Sequence, residues 1–214
     1  MDSFKVVIVI PAFNEEGTIR NVVEKVINYG DVIVVNDGSE DLTGKIAFQA
    51  GAIVITHDFN QGYDKALNSA FIEAEKLNYD AVITFDADNQ HNPNSLEDFI
   101  YYLKNGVDLV LGVRPKTARV SELLFKFYAQ MKFDWDDPLC GMKGYSMILY
   151  REQGYFDSFN SIGTELVIFG LTNNFKHVQL VIPVKERKDN PRFSSIFGSN
   201  LNILLALFRT IKKI

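Results

Sequence analysis

Asp86-Ala87-Asp88, with Gln90 two residues further on, sets two carboxylates and an amide oxygen at alternate positions directly after the apolar run Ala81-Val-Ile-Thr-Phe85. Oxygen donors of this kind suit Mg²⁺ or Mn²⁺, which complete their shells with water and a substrate diphosphate. His91 offers a nitrogen ligand or a donor to phosphate. A lone D-x-D also reads as an acidic loop that keeps the surface soluble; the apolar run leading straight into it favours the metal reading. Three more apolar runs end in polar clusters: Pro11-Ala-Phe-Asn-Glu15, Asn36-Asp-Gly-Ser39 followed by Asp41, and Asn60-Gln-Gly62. In the second cluster Gly38 allows a tight turn, and Asp37 can accept hydrogen bonds from a base imide or a ribose. Ser39 or Asp41 can equally cap the helix that follows.

These clusters act together only if the fold brings them to one place. Lys5 to Ile10, Asp31 to Asn36, Ala52 to Thr56, Asp80 to Phe85 and Val107 to Val113 read as strands, mostly apolar and rich in β-branched residues. Between them, Thr18 to Tyr29, Leu42 to Ala50, Tyr63 to Leu77 and Ser95 to Leu103 carry apolar residues at helical spacing. Strand and helix in alternation predict an α/β fold, a mainly parallel sheet with helices on both faces. All four clusters then fall at carboxyl ends of strands, the edge that holds the ligand crevice in such sheets. Past Val113 the rhythm breaks: Glu122 to Lys132 reads helical, Lys143 to Tyr150 extended, Gly163 to Leu171 helical and His177 to Ile182 as a strand. Lys185 to Arg192 is a polar loop, and Ser199 to Ile214 is a helix.

Composition bounds the rest. The 214 residues are 47% hydrophobic and 23% charged, enough for a full core. A single cysteine, Cys140, excludes an internal disulfide and a cysteine-rich zinc site and fits a reducing compartment. The net charge of -5 argues against a nucleic-acid partner. The first apolar run, Val6 to Ile10, is too short for a signal peptide, and no stretch reaches the roughly 18 apolar residues of a membrane span. The expected location is cytoplasmic. Gly38 to Lys45 fails as a P-loop because Ile46 stands where Ser or Thr is required, and no G-x-G-x-x-G follows the first strand.

The motif set resembles that of the inverting glycosyltransferases of family 2, which have a GT-A fold with a Rossmann-like central sheet, and within them the polyprenyl-phosphate (dolichol-phosphate mannose type) branch. Pro11-Ala-Phe-Asn-Glu15 resembles P-x-[YF]-N-E, and Asn36-Asp-Gly-Ser39 resembles D-D-G-S with Asn in first place. Asn60-Gln-Gly62 with Ala66 and Asn68 is similar to N-x-G-x-x-x-A-x-N. Asp86 to Pro93 is similar to D-A-D-x-Q-H-x-P, Gly112-Val-Arg114 to G-S-R, and Asp137 to Lys143 to D-x-x-x-G-[FM]-[RK]. The resemblance implies that Pro11, Phe13, Glu15, Asp37, Gly62 and Asp86 hold the nucleotide, and that Asp86, Asp88 and Gln90 bind Mg²⁺ or Mn²⁺. It implies that Arg114 meets phosphate charge, with Glu165 or Asp137 as base if the acceptor is a sugar hydroxyl; a lipid phosphate needs none. The branch ends its motifs with R-x-x-G-x-S-K, whereas Arg187 to Ser194 matches only at the arginine.

The expected partners are a nucleotide diphosphate sugar donor and a glycan or lipid-phosphate acceptor, in cell-surface glycan biosynthesis. The competing reading is a non-catalytic nucleotide-sugar-binding scaffold. Residues 1–195 form the expected catalytic domain and 196–214 an amphipathic basic helix. From Lys185 to Ile214 there are seven basic and two acidic residues, and Leu201, Leu204, Leu205 and Phe208 share a helical face. Such a helix suits peripheral contact with the inner face of an anionic membrane, or packing on the domain.

Overall fold

The computed structural model describes residues 4–115, 120–184 and 196–213. Its strands are β1 (Val6–Ala12), β2 (Asp31–Asn36), β3 (Ile53–Thr56), β4 (Ala81–Thr84), β5 (Leu109–Val113), β6 (Lys143–Ser146) and β7 (His177–Val181). The helices are α1 (Ile19–Val26), α2 (Thr43–Gln49), α3 (Tyr63–Lys76), α4 (Ser95–Lys104), α5 (Val120–Phe133), α6 (Met147–Gln153), α7 (Glu165–Thr172) and α8 (Ile196–Lys213). One sheet runs β3-β2-β1-β4-β6-β5-β7, parallel throughout except for β6, which lies antiparallel to both β4 and β5.

The side-chain alternation of β1 explains the layers. Ile8 and Ile10 point into a core completed by Ile19 and Val23 of α1, Ala47 of α2, and Leu96 and Phe99 of α4. Val7 and Val9 point into the other, with Leu67 and Phe71 of α3, Met147 and Leu149 of α6, and Leu166 of α7. A strand covered on both faces must be apolar at every position, and β1 is.

Two expectations change. Lys143 to Tyr150 is extended only to Ser146, where the serine side chain accepts a bond from the Leu149 N–H and starts α6; Gly154, in the left-handed conformation, ends it. The β-branched and aromatic residues there read as strand, but a serine cap and a terminal glycine bracket a short helix. In α8 the shared face of Leu201, Leu204, Leu205 and Phe208 is exposed, while Ile203 and Ala206 pack with Phe125 of α5. The expected loop from Lys185 to Arg192, Arg187 included, and the domain boundary at 195 lie outside the described residues.

Strand register delivers the site. Ala12 pairs with Asn36, Asn36 with Thr56, Val9 with Thr84, Thr84 with Lys143 and Lys143 with Leu111. The carboxyl ends of β1 to β5 and the beginning of the reversed β6 therefore share one edge.

Candidate active site

At the end of β1, Phe13 is 39% exposed. Glu15 is buried: its N–H donates to Thr43 Oγ1 at 2.7 Å, and its Oε2 accepts from the Thr18 hydroxyl at 2.6 Å. Asp37, after β2, points into the loop that follows β3. Its Oδ1 accepts from Gln61 N–H at 2.9 Å and His57 Nδ1–H at 2.6 Å, and its Oδ2 from Gly62 N–H at 2.8 Å. Nε2 of His57 lies 2.9 Å from Ser69 Oγ on α3. The loop crosses so tightly over Gly38 that a Cβ there would fall 2.4 Å from the Phe59 carbonyl carbon, and its φ of +69° suits glycine as well. A cleft of about 510 Å³ opens here, lined by residues that include Phe13, Ser39, His57 and Phe59. Asp37 thus fixes the wall of the cleft, and His57, absent from the sequence-level candidates, is its partner.

After β4, His91 Nε2–H donates to Asp86 Oδ2 at 2.9 Å, and Gln90 N–H to Asp88 Oδ1 at 3.1 Å. His91 therefore orients Asp86. Burial would raise the Asp86 pKa, but the bond and charge of His91, with Arg114 and Lys143 further off, hold it below the usual carboxylate value. The Asp86 carboxylate rests against Gly141. Among the described residues no three of His, Cys, Asp and Glu group to hold a metal ion. Two carboxylates, an amide oxygen and the cradle at Gly141 fit a hard cation that takes the rest of its shell from water and a diphosphate.

After β5, Arg114 is clasped by Asp137: Nε donates to Oδ2 at 2.7 Å, Nη2 to Oδ1 at 2.9 Å, and the Arg114 N–H to Oδ2 at 3.0 Å. Nη2 also reaches Glu122 Oε2 on α5 at 3.3 Å. Although burial would lower the guanidinium pKa, Asp137 raises it further above its ordinary value. At the start of β6 the buried ammonium of Lys143 donates to the carbonyls of Pro138 at 3.0 Å and Gly163 at 3.1 Å, above the Trp135 ring. Burial pushes its pKa down to about 8, against the opposing pull of neighbours including Asp137, Asp64 and Asp86. Lys143 closes the segment that resembles D-x-x-x-G-[FM]-[RK], but the sequence assigns it no role.

Glu165, the first residue of α7, is buried. Its Oε2 accepts from Ser158 N–H at 2.6 Å and its Oε1 from the Ser158 hydroxyl at 2.9 Å. The fold thus gathers candidates at one edge, with Phe13 in the cleft and Asp37 and Gly62 at its wall, Asp86 beside Gly141, Asp88 and Gln90 in the turn that follows, and Arg114 on Asp137. Pro11 lies in β1 itself, one pairing short of its end.

A Methanocaldococcus jannaschii protein of uncharacterised function is 38% identical over 113 residues, 51% of this chain and 46% of that one. The UDP-N-acetylglucosamine–dolichyl-phosphate N-acetylglucosaminyltransferase of Methanococcus voltae is 33% identical over 132 residues, 52% of this chain and 53% of the relative. This chain spans about half the length of these two relatives. The dolichyl-phosphate hexose transferase of Haloferax volcanii is 26% identical across 89% of this chain and 87% of its own. Glucosyl-3-phosphoglycerate synthase from Mycobacterium tuberculosis, solved with Mn²⁺ and UDP-glucose, superposes with a TM-score of 0.76 over 96% of this chain and 78% of that one, at 22% identity. That likeness establishes a GT-A architecture. The glycosyl transferase family 2 model matches residues 7–159, from the first strand to beyond β6, and the chain belongs to that family.

Proposed function

We propose that this chain transfers a sugar, with inversion, from a nucleotide diphosphate sugar to a polyprenyl phosphate, in the assembly of a cell-surface glycan. The observation that carries the reading is the occupation of both candidate bases. Asp137 accepts three bonds from Arg114, and Glu165 accepts two from Ser158. Both carboxylates are already engaged by these donors, which favours an acceptor that is itself an anion and needs no base. The names of the Methanococcus and Haloferax relatives point the same way.

In this reading the nucleotide lies in the cleft beside Phe13, with Asp37 holding its wall through Gly62 and His57, and Glu15 buried behind the turn after β1. Asp86, Asp88 and Gln90 would hold Mg²⁺ or Mn²⁺, which when bound neutralises charge on the diphosphate. Arg114, held by Asp137 and Glu122, would turn guanidinium donors toward the diphosphate as negative charge develops on it. Among the described residues no helix is long and apolar enough to cross a membrane. Phe127 and Met131 of α5 and Leu204 and Phe208 of α8 are exposed, however, with Arg209 and Lys212 near the end of α8. Such surfaces support peripheral contact with an anionic bilayer carrying the lipid acceptor.

The test incubates the purified chain and Mn²⁺ with UDP- and GDP-sugars and dolichyl phosphate. Formation of a lipid-linked sugar, lost in Asp88→Ala with the fold intact, is the expected result. Mn²⁺-dependent binding of UDP or GDP with no transfer to any acceptor would favour the scaffold reading.

A further inference from the structure

The loop from Asp157 to Thr164 adopts a backbone that its sequence does not favour. Asn160, Ile162 and Gly163 all have positive φ, +57°, +59° and +67°, and a β-branched residue such as Ile162 rarely adopts that region. A conformation of this kind persists only when its surroundings over-determine it. Here they do. Asp157 takes the N–H groups of Phe159, Asn160 and Ser161, and Ser161 Oγ takes those of Thr164 and Glu165. Two further anchors come from distant parts of the chain. Asp64, on α3, accepts from Ile162 N–H at 3.1 Å and Gly163 N–H at 2.6 Å. Lys143, on β6, donates to the Gly163 carbonyl.

Gly163 is therefore gripped from both sides, by a carboxylate at its N–H and by an ammonium at its C=O. The same ammonium holds the Pro138 carbonyl, in the segment that carries Asp137 and Gly141. A lysine buried against two backbone carbonyls is a poor device for stability. It does connect the Arg114–Asp137 side of the site to the segment that ends in Glu165.

We propose that Lys143 and Asp64 are positioning residues that latch the Asp157–Thr164 loop, through Gly163, onto the diphosphate side of the site and so align the acceptor for transfer. The inference rests on the glycosyl-transfer reading and adds to it a control of turnover separate from donor binding. The side chains of Lys143 and Asp64 bond Pro138, Ile162 and Gly163 and not the residues lining the cleft near Phe13; the charge of Lys143 also acts on Asp86, so survival of nucleotide binding is read in Asp64→Asn.

Hydrogen exchange of the free chain, read by mass spectrometry, tests the latch without any substrate. In Lys143→Met, amides of 157–165 are expected to exchange at least tenfold faster while β1 and β4 keep their protection. Asp64→Asn, an isosteric change less disruptive to folding, is expected to do the same to a smaller degree. Titration of Asp64→Asn with UDP and GDP in Mn²⁺ should give dissociation constants within about twofold of wild type. With UDP-glucose or GDP-mannose and dolichyl phosphate, kcat should fall at least tenfold at unchanged donor KM. Unaltered exchange in both variants, or a loosened loop with wild-type kcat, overturns the proposal, as does a parallel loss of nucleotide affinity in Asp64→Asn. A wild-type chain that binds neither nucleotide overturns the functional reading instead, and loop exchange still reports on the latch by itself.

Discussion

Gly141 sits so close to Asp86 that a Cβ there would fall 2.1 Å from Asp86 Oδ2. The glycine is needed for the carboxylate and not for its own backbone, since its φ lies outside the positive region. Gly141→Ala is expected to push Asp86 off His91, to lower turnover at least about 100-fold, and to abolish the Mn²⁺-dependent rise in Tm with UDP or GDP. The stability loss should stay within about 1–3 kcal/mol, the usual range for overpacking. Thermal unfolding with and without Mn²⁺ checks both parts.

Asp137 and Arg114 stand or fall together. Asp137→Ala leaves a largely buried guanidinium with only Glu122 near it, and a loss of about 3 kcal/mol is expected in urea unfolding. Arg114→Ala combined with Asp137→Ala should cost less than the two single changes added together. Strict additivity in that double-mutant cycle would show that the pair is not coupled.

His57 should matter to the donor alone. His57→Ala removes the bond from Nδ1 to Asp37 and the one from Nε2 to Ser69, loosening the loop that walls the cleft. We expect a donor KM about tenfold higher with kcat little changed. A fall in kcat at constant KM would place His57 in the chemical step.

Asp64 makes stability depend on pH with a sign opposite to that of most carboxylates. Burial, and then the charge of Asp157, raise its pKa from 3.8 to about 6. Between about pH 4 and pH 6 the folded chain keeps a proton that the unfolded chain has lost, so this group's contribution falls as pH rises through that window. A shift of about two units corresponds to about 3 kcal/mol. Wild type should lose stability relative to Asp64→Asn between pH 4.5 and pH 6.5 in urea unfolding, and a gain would contradict the assignment.

The exposed rows on α5 and α8 give a further expectation. Phe127→Glu and Phe208→Glu should leave the Tm within a degree or two, because both side chains already face solvent. Sedimentation with phosphatidylglycerol vesicles should drop severalfold. Equal sedimentation by wild type and variants would remove the membrane contact.

The half of the fold from β1 to β5 is legible in the sequence because each strand there is a run of apolar residues and each helix has its own periodicity. The polar strand ends are legible for the same reason: Asp37 and Asp86 interrupt runs that would otherwise be buried. His57 is not, since only the pairing of Asn36 with Thr56 brings it to Asp37. Lys143 stands in a recognisable motif, but its role does not show there, because its partner Gly163 is twenty residues away and joined to it through a backbone carbonyl. In α8 the spacing of leucines identifies an apolar face, yet the helix buries Ile203, Ala206 and Thr210 instead. Small residues there admit a close approach to α5, which hydrophobicity alone does not register.

The reversal of β6 has a wider consequence. Because β5 ends and β6 begins at the same edge, the chain leaves the sheet at Arg114 and re-enters it at Lys143 on the side that carries the site. It is an appendix with both feet on the site. Its middle is nonetheless tied to the rest of the molecule, since Ala129 and Trp135 are buried in the core that also holds Val7 and Val9, and Phe125 packs against Ile203 and Ala206 of α8. A change of length or sequence there therefore reaches the sheet as well as the site.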